Sequence, residues 1–254
     1  RNYVNILLTG HKGFIGSSLL KALELNHTVT GIDLQDGDDL LTCDFSNKEF
    51  DLVIHLAGRS GVRESINDPS AYWMNNVEAS RRLFERYQDT RILYASSSSA
   101  YEPDLNPYAA SKYVLEELAE RYPNTLGMRF HTVWSHNPRK GMFFDKLFNS
   151  ELEYVTRHYR DFVHLLDVID AINILIECDY VKGVLDIGSG VPVRVQDLVK
   201  DLPVRLNTPG ERFYTCANLE KMKALGYEPK YSIEKHLTKA KKGVIINLFN
   251  GETV

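Results

Sequence analysis

Apolar runs alternate with amphipathic stretches through the first half of this chain, and that rhythm constrains its fold more than any other feature. Residues 4–8 form an apolar run and residues 14–25 a helical pattern. Apolar runs at 28–32, 52–56, 92–95 and 125–130 then alternate with helical patterns at 71–86 and 107–121. Short continuous apolar strands separated by amphipathic helices are what a parallel sheet covered on both faces requires. The expected fold is therefore α/β, a Rossmann-like doubly wound parallel sheet. Between Asp33 and residue 52 the chain is too short and polar for a full crossover helix, and Gln35-Asp36-Gly37-Asp38-Asp39 reads as a turn.

After about residue 135 the pattern becomes irregular. A short helix is expected over 142–148, strands at 152–155, 161–164 and 184–187, and helices at 167–177, 219–225 and 233–248. The expected organisation is a nucleotide-binding domain over 1–135, with segments near 161–190 returning to it, and a smaller substrate-binding lobe over 136–254.

Between the first strand and the first helix stands Thr9-Gly10-His11-Lys12-Gly13-Phe14-Ile15-Gly16. Gly10, Gly13 and Gly16 permit a tight turn and a close backbone approach to a pyrophosphate, which the helix start then stabilises. Asp33 ends the second strand about twenty residues on, where a carboxylate hydrogen-bonds the adenosine ribose. Such a carboxylate repels a 2′-phosphate, and Leu34 and Gln35 supply no arginine, so NAD is favoured over NADP. Gly188-Ser189-Gly190 lacks a phosphate-loop lysine and reads as a turn.

Tyr108 and Lys112 are four apart just after Asn106-Pro107, so both project from one face of a helix's first turns. A phenol with a pKa near 10 is a poor base at neutral pH, and a nearby ammonium stabilises its anion. Ser97 ends a hydroxyl-rich strand and could share a substrate hydroxyl's proton. The chain has 14 tyrosines and a second such pair, Tyr231 and Lys235. That pair has no hydroxyl-rich strand to serve it and reads as a surface helix. His55 lies inside an apolar run and reads as a satisfied core histidine.

A net charge of −4 gives no electrostatic reason to expect nucleic acid. The basic run Lys239-Ala240-Lys241-Lys242 reads as a solvated helix face. No stretch approaches the roughly 20 apolar residues of a membrane span, and no signal peptide is evident, so the expected location is cytoplasmic. Cys43, Cys178 and Cys216 form no Cys-x-x-Cys pair, which argues for reduced thiols and no metal site.

The motifs together bring a family into view. The chain resembles the extended short-chain dehydrogenases/reductases, in their nucleotide-sugar epimerase/dehydratase branch. The resemblance rests on the Thr9 to Gly16 loop, His55-Leu56-Ala57-Gly58, Gly61-Val62-Arg63, Tyr94-Ala95-Ser96-Ser97-Ser98-Ser99-Ala100-Tyr101, the Tyr108/Lys112 pair and Met128-Arg129-Phe130. It continues through Arg160-Asp161-Phe162-Val163-His164, Asp186-Ile187-Gly188, Pro209-Gly210-Glu211 and Leu225-Gly226-Tyr227-Glu228-Pro229. It implies that Tyr108 is the base, that Lys112 holds the nicotinamide ribose, and that Ser97 is the hydroxyl partner. It further implies that Asp44 and Phe45 flank the adenine, and that Phe14, Ile15, Leu56, Ala57, Gly58 and Asn76 line the cofactor. Arg63, Ser98, Thr132, Arg139 and Arg160 would hold the substrate, with Arg160 on its phosphates. A homodimer through the helices at 71–86 and 107–121 is also implied.

Within the resemblance, the residues after Ser97 bear on the reaction. Elimination needs an additional acid and base there, and uronate decarboxylases carry a glutamate, whereas this chain has Ser98 and Ser99. Simple oxidation and re-reduction is thereby favoured. Thr132 and Arg139 resemble the UDP-glucuronate 4-epimerase pattern, in which an arginine gives a sugar carboxylate a charge-assisted partner. The family's Tyr-Gly-Pro is not kept at Trp134-Ser135-His136, and the segment 139–160 is shorter than usual. The expected activity is an NAD-dependent nucleotide-sugar 4-epimerase acting on a UDP-hexuronate. Neutral UDP-hexose 4-epimerase, UDP-glucuronate decarboxylase and an NAD-binding sensor on the same fold stay open as alternatives.

Overall fold

The computed structural model describes residues 4–45, 48–199, 201–206 and 208–235. The elements are β1 (Asn5–Thr9), α1 (Phe14–Leu23), β2 (Thr28–Ile32), β3 (Leu52–His55), α2 (Val62–Asn67), α3 (Pro69–Trp73), α4 (Ala79–Arg86), β4 (Arg91–Ser97), α5 (Pro107–Ala119) and β5 (Thr125–Phe130). They continue as β6 (Thr132–Trp134), α6 (Phe143–Phe148), β7 (Val155–Thr156), β8 (Tyr159–His164), α7 (Leu165–Glu177), β9 (Gly183–Ile187), β10 (Pro192–Arg194), α8 (Val195–Leu198), β11 (Val204–Arg205) and α9 (Glu220–Ala224). The expected helix at 233–248 runs beyond the described residues, which also exclude the basic run at Lys239.

Six parallel strands form the main sheet in the order β2-β1-β3-β4-β5-β9. Their side chains alternate between two cores. Ile6, Leu8, Leu52, Ile54 and Leu93 face α1 and α7, while Leu7, Val53, Ile92 and Tyr94 face the α4 and α5 side. Burial on both faces is why these strands read as continuous apolar runs. Strand order reverses between β1 and β3, and the crevice at their carboxyl ends is where such sheets take ligands.

After β2 the chain makes a 3-10 turn, Leu34–Asp36, closed by Gly37 at φ 90°, and a further turn in which Thr42 N and Cys43 N donate to Asp39 O, with no longer helix before β3 among the described residues. The helix expected over 71–86 starts earlier, at Pro69, where Asp68 caps it by accepting from Ala71 N at 3.2 Å. It carries a π-helical segment, Met74–Glu78, before α4. A smaller sheet, β10-β8-β6, lies over a third core of Trp134, Phe144, Phe162 and Val193. β8 belongs to that sheet, whereas β9 pairs with β5 in the main one. The strand expected at 152–155 is displaced to β7. Among the described residues, no helix is long and apolar enough to cross a membrane, and no group of three His, Cys, Asp or Glu could hold a metal.

Candidate active site

The crevice is built by close backbone contact. Gly10 has φ 74°, and a Cβ there would lie 2.6 Å from Ala57 N, so the glycine loop passes directly over the end of β3. A Cβ on Gly16 would lie 2.1 Å from Gly10 O. These two glycines are thus required by the protein's own packing, before any ligand is considered.

Under this loop runs a satisfied chain of hydrogen bonds. Ala57 N donates to Thr9 Oγ1 at 3.3 Å, Thr9 Oγ1 lies 2.7 Å from His55 Nδ1, and His55 Nε2 lies 2.8 Å from Ser80 Oγ. Ser80 spends its one proton on Asn76 O at 2.9 Å. His55 therefore donates from Nε2 and accepts at Nδ1 from Thr9. Burial, aided by the Lys112 charge, lowers its pKa to about 3 and keeps the ring neutral. His55 is the core histidine its setting suggests.

Asn76 sits in the π-helical segment and clamps the backbone N–H and C=O of one residue, Arg59, in the loop after β3. Its Oδ1 accepts from Arg59 N at 2.7 Å, and its Nδ2 donates to Arg59 O and to Ser111 Oγ, each at 2.9 Å. A π-bulge at a functional site commonly re-aims a side chain in this way. Leu56, Ala57 and Gly58 precede the clamped residue, and a Cβ on Gly58 would lie 2.8 Å from Asn76 Oδ1.

At the other wall, α1 begins at Gly13 with no side-chain cap and no acidic residue in its first turn. Its opening N–H groups suit a pyrophosphate. Phe14 and Ile15 pack their side chains onto the first core. Asp33 is buried and accepts from Lys12 N at Oδ2 and Gln35 N at Oδ1, both at 3.0 Å, leaving each oxygen a lone pair for a ribose hydroxyl. An uncapped helix start beside a preset carboxylate fits a dinucleotide. Asp44 is exposed, and Phe45 turns inward, its ring 5.9 Å edge-on to Tyr87.

The expected base, Tyr108, and its expected partners come from β4 and α5. Asn106 caps α5 by accepting from Ala109 N at 2.8 Å, and Pro107 occupies the first turn, where its missing N–H costs nothing. Lys112 is 5% exposed and donates to Ala95 O at 2.8 Å, and burial lowers its pKa to about 8. Tyr108 keeps some surface open to solvent, but its hydroxyl is enclosed and burial pushes its pKa up. A hydrogen bond with Ser97 and the charge of Arg139 pull it back. The cation acting on the phenol in this way is Arg139, while Lys112 directs its ammonium to a carbonyl. Ser97 Oγ also accepts from Ser99 N at 3.1 Å.

Tyr72 was not singled out from sequence. Its ring is edge-on to Tyr108 with centroids 6.1 Å apart, and its hydroxyl donates to Ser60 O at 3.0 Å. Arg139 donates to Ser60 Oγ, and its charge acts on both tyrosines. Thr132 lies two residues past Phe130, which is in register with Ser97, and so stands just beyond the sheet's carboxyl edge.

Farther out, Arg63 donates to Glu211 Oε1 at 3.0 Å, and the Arg160 guanidinium lies 3.6 Å from Glu211 Oε2. Arg160 also donates to Tyr159 O at 3.0 Å and to His158 Nδ1 at 2.9 Å. Burial and the neighbouring Arg160 lower the His158 pKa, consistent with a neutral ring accepting that bond. The segment carrying Glu211 is pinned to the start of α5 and the turn after β4: Asn106 Nδ2 donates to Gly210 O at 2.9 Å, and Arg212 donates to the carbonyl of Ser98, itself buried, at 2.6 Å. Pro209-Gly210-Glu211 was visible as a motif, but nothing in its spacing pointed to Arg63 or Arg160.

The model of the NAD dependent epimerase/dehydratase family matches residues 6–188. The chain belongs to that family. Members are NAD-dependent, and NAD is the cofactor that the uncapped helix start and Asp33 fit. The family member MJ1055 of Methanocaldococcus jannaschii, an uncharacterized protein, is 29% identical over 308 residues, covering 92% of this chain and 94% of that protein. The uncharacterized UDP-glucose epimerase YtcB of Bacillus subtilis is 27% identical, covering 98% of this chain and all of YtcB. Among solved structures, UDP-glucuronic acid 4-epimerase from Bacillus cereus, in complex with UDP-glucuronic acid and NAD, superposes with a TM-score of 0.82 at 27% identity. It covers 95% of this chain and 98% of that one. Both alignments to curated relatives are longer than this family member's own 254 residues, so the relatives carry insertions that it lacks.

Proposed function

We propose that this protein is a UDP-hexuronate 4-epimerase, interconverting UDP-glucuronate and UDP-galacturonate through a 4-keto sugar. The observation that carries the reading is the convergence of Arg139 with Tyr108. In a hexuronate the carboxylate is attached at C5, next to the reacting C4, so a cation serving it must stand near the base. Arg139 meets that requirement and offers a charge-assisted, bidentate partner.

In this reading Tyr108 removes the C4 hydroxyl proton, with Ser97 sharing it, and gives it back to the product. NAD, held by the Gly10 to Gly16 loop, the start of α1 and Asp33, would supply the hydride acceptor and donor for C4. Lys112, held by Ala95 O, keeps a positive charge in the pocket below about pH 8. Arg63 and Arg160 hold the diphosphate, so the nucleotide stays fixed while the hexose rotates. With Ser98 and Ser99 following Ser97, no carboxyl group stands in that turn to drive elimination.

A second reading, a neutral UDP-hexose 4-epimerase, draws on Arg139 already having Ser60 as a partner. The two are separated by incubating UDP-, GDP- and dTDP-sugars in heavy water and reading products by NMR. Inversion at C4 of a UDP-hexuronate without solvent deuterium is expected. Deuterium at C5, loss of CO2, or turnover of neutral hexoses alone would overturn the assignment. Tyr108→Phe should abolish turnover while leaving NAD bound.

A further inference from the structure

We propose that Asp36 sets the preference for NAD over its 2′-phosphorylated form by holding the Lys12 ammonium and the His11 imidazole of the glycine loop away from the adenosine ribose. The proposal rests on the reading that Asp33 takes the ribose hydroxyls. The backbone N of Lys12 donates to Asp33 Oδ2 at 3.0 Å, so the Lys12 side chain is rooted at that carboxylate. A lysine rooted there can reach a phosphate on the 2′-oxygen. Instead its ammonium pairs with Asp36 Oδ1, and the other oxygen, Oδ2, lies 3.2 Å from His11 Nε2.

The surrounding backbone fixes this arrangement. Asp36 ends the 3-10 turn that Asp33 caps through Gln35 N, and Gly37 at φ 90° closes it. Both carboxylates are thereby presented to Lys12, Asp33 to its backbone N–H and Asp36 to its ammonium, while Asp36 alone also meets His11. The His11 ring lies against Gly31, where a Cβ would come within 2.6 Å of its Cγ, so a strand glycine makes room for the ring that meets Asp36. The Lys12 side chain is 41% exposed and has space to swing once released.

The charge count points the same way. Asp33, Asp36 and Lys12 sum to one negative charge beside the ribose, and the local field repels a phosphate. Without Asp36 the sum is zero, and Lys12 becomes an available phosphate partner. Asp33 thus recognises the hydroxyl, while Asp36 silences the groups that would otherwise recognise a phosphate in its place.

The test equilibrates purified protein with equal excess NAD and NADP, removes unbound nucleotide, denatures the protein and quantifies what is released. Asp36→Asn should raise the NADP-to-NAD ratio by about 1.5-fold to fivefold, the range of one exposed ion pair. Adding Lys12→Ala should return the ratio to the wild-type value. An unchanged ratio in Asp36→Asn overturns the proposal, as does a gain that survives Lys12→Ala. Asp33→Asn separates the underlying reading, because it should deplete bound NAD. Wild-type NAD content in Asp33→Asn overturns the ribose reading itself, whereas a depleted Asp33→Asn beside an unchanged Asp36→Asn overturns only the role of Asp36.

Discussion

Acidification should remove stability from this protein through His55. The residue is 2% exposed, with both ring nitrogens engaged, and burial lowers its pKa from an ordinary 6.5 to about 3. The unfolded chain takes up this proton near pH 6.5 and the folded chain only near pH 3. Between those values the unfolded state binds more protons, so stability is at its full value above pH 6.5 and is lost as pH falls toward 3. At about pH 5 the unfolded imidazole is almost wholly protonated and the folded one almost wholly neutral. One and a half pH units at 1.36 kcal/mol each then amount to about 2 kcal/mol. The assay is urea unfolding of wild type and His55→Gln between about pH 7.5 and pH 5, at several NAD concentrations so that cofactor linkage is separated. At neutral pH the variant should be less stable by about 1–2 kcal/mol, having lost part of the Thr9–His55–Ser80 bridge. That gap should shrink by about 2 kcal/mol at the acid end. A gap that stays constant with pH would mean that the folded imidazole titrates as freely as the unfolded one, and the proton arrangement assigned to the bridge would be wrong.

Three further outcomes are expected. Gly10→Ala combines a positive φ with a Cβ 2.6 Å from Ala57 N and should cost about 2–4 kcal/mol in thermal unfolding, whereas Gly37→Ala, with φ 90° and nothing within 4 Å, should cost about 1–2 kcal/mol. If Lys112 must be charged for turnover, kcat should fall about tenfold per pH unit above about pH 8, and Lys112→Met should show a low rate without that limb. Arg139→Gln should cut the preference for UDP-hexuronates over neutral UDP-hexoses, measured as a ratio of kcat/KM, by about thirtyfold to a hundredfold, the value of a charge-assisted hydrogen bond.

The sheet was legible because its strands are buried on both faces. Leu7 and Leu8 serve different cores, so neither could be polar, and the run stands out in the sequence. The missing crossover after Asp33 was legible for the opposite reason, since a polar stretch that short has no apolar face to bury. The π-helical segment was not, because it depends on Asn76 reaching a peptide at Arg59 that only tertiary structure brings near. β6 is three residues long, too short for any period to register. In the site, Tyr108 and Lys112 were legible because four-residue spacing on a helix is local geometry. Tyr72, Glu211 and the Lys12–Asp36 pair were not, since each matters through a partner distant in sequence.

The same distinction explains what a shortened member of this family can discard. A crossover helix after β2 would cover the sheet at its edge, on the far side of β1 from the crevice, and none of the contacts around Tyr108 comes from that region. The segment at 208–212 is different. Gly210 takes a hydrogen bond from Asn106, which caps α5, Glu211 sits between Arg63 and Arg160, and Arg212 donates to the carbonyl of Ser98. A helix at the edge supplies area, which other side chains can replace. Gly210, Glu211 and Arg212 supply directed bonds to four separate parts of the fold, the cap of α5, α2, β8 and the turn after β4, and no neighbouring stretch reproduces them if the segment is lost. Trimming should therefore be tolerated at the β2 edge and punished at residues 208–212. The fold fits that rule: among the described residues the first region forms short turns and no helix longer than the 3-10 turn Leu34–Asp36, while residues 210–212 tie α5, α2, β8 and the turn after β4 together.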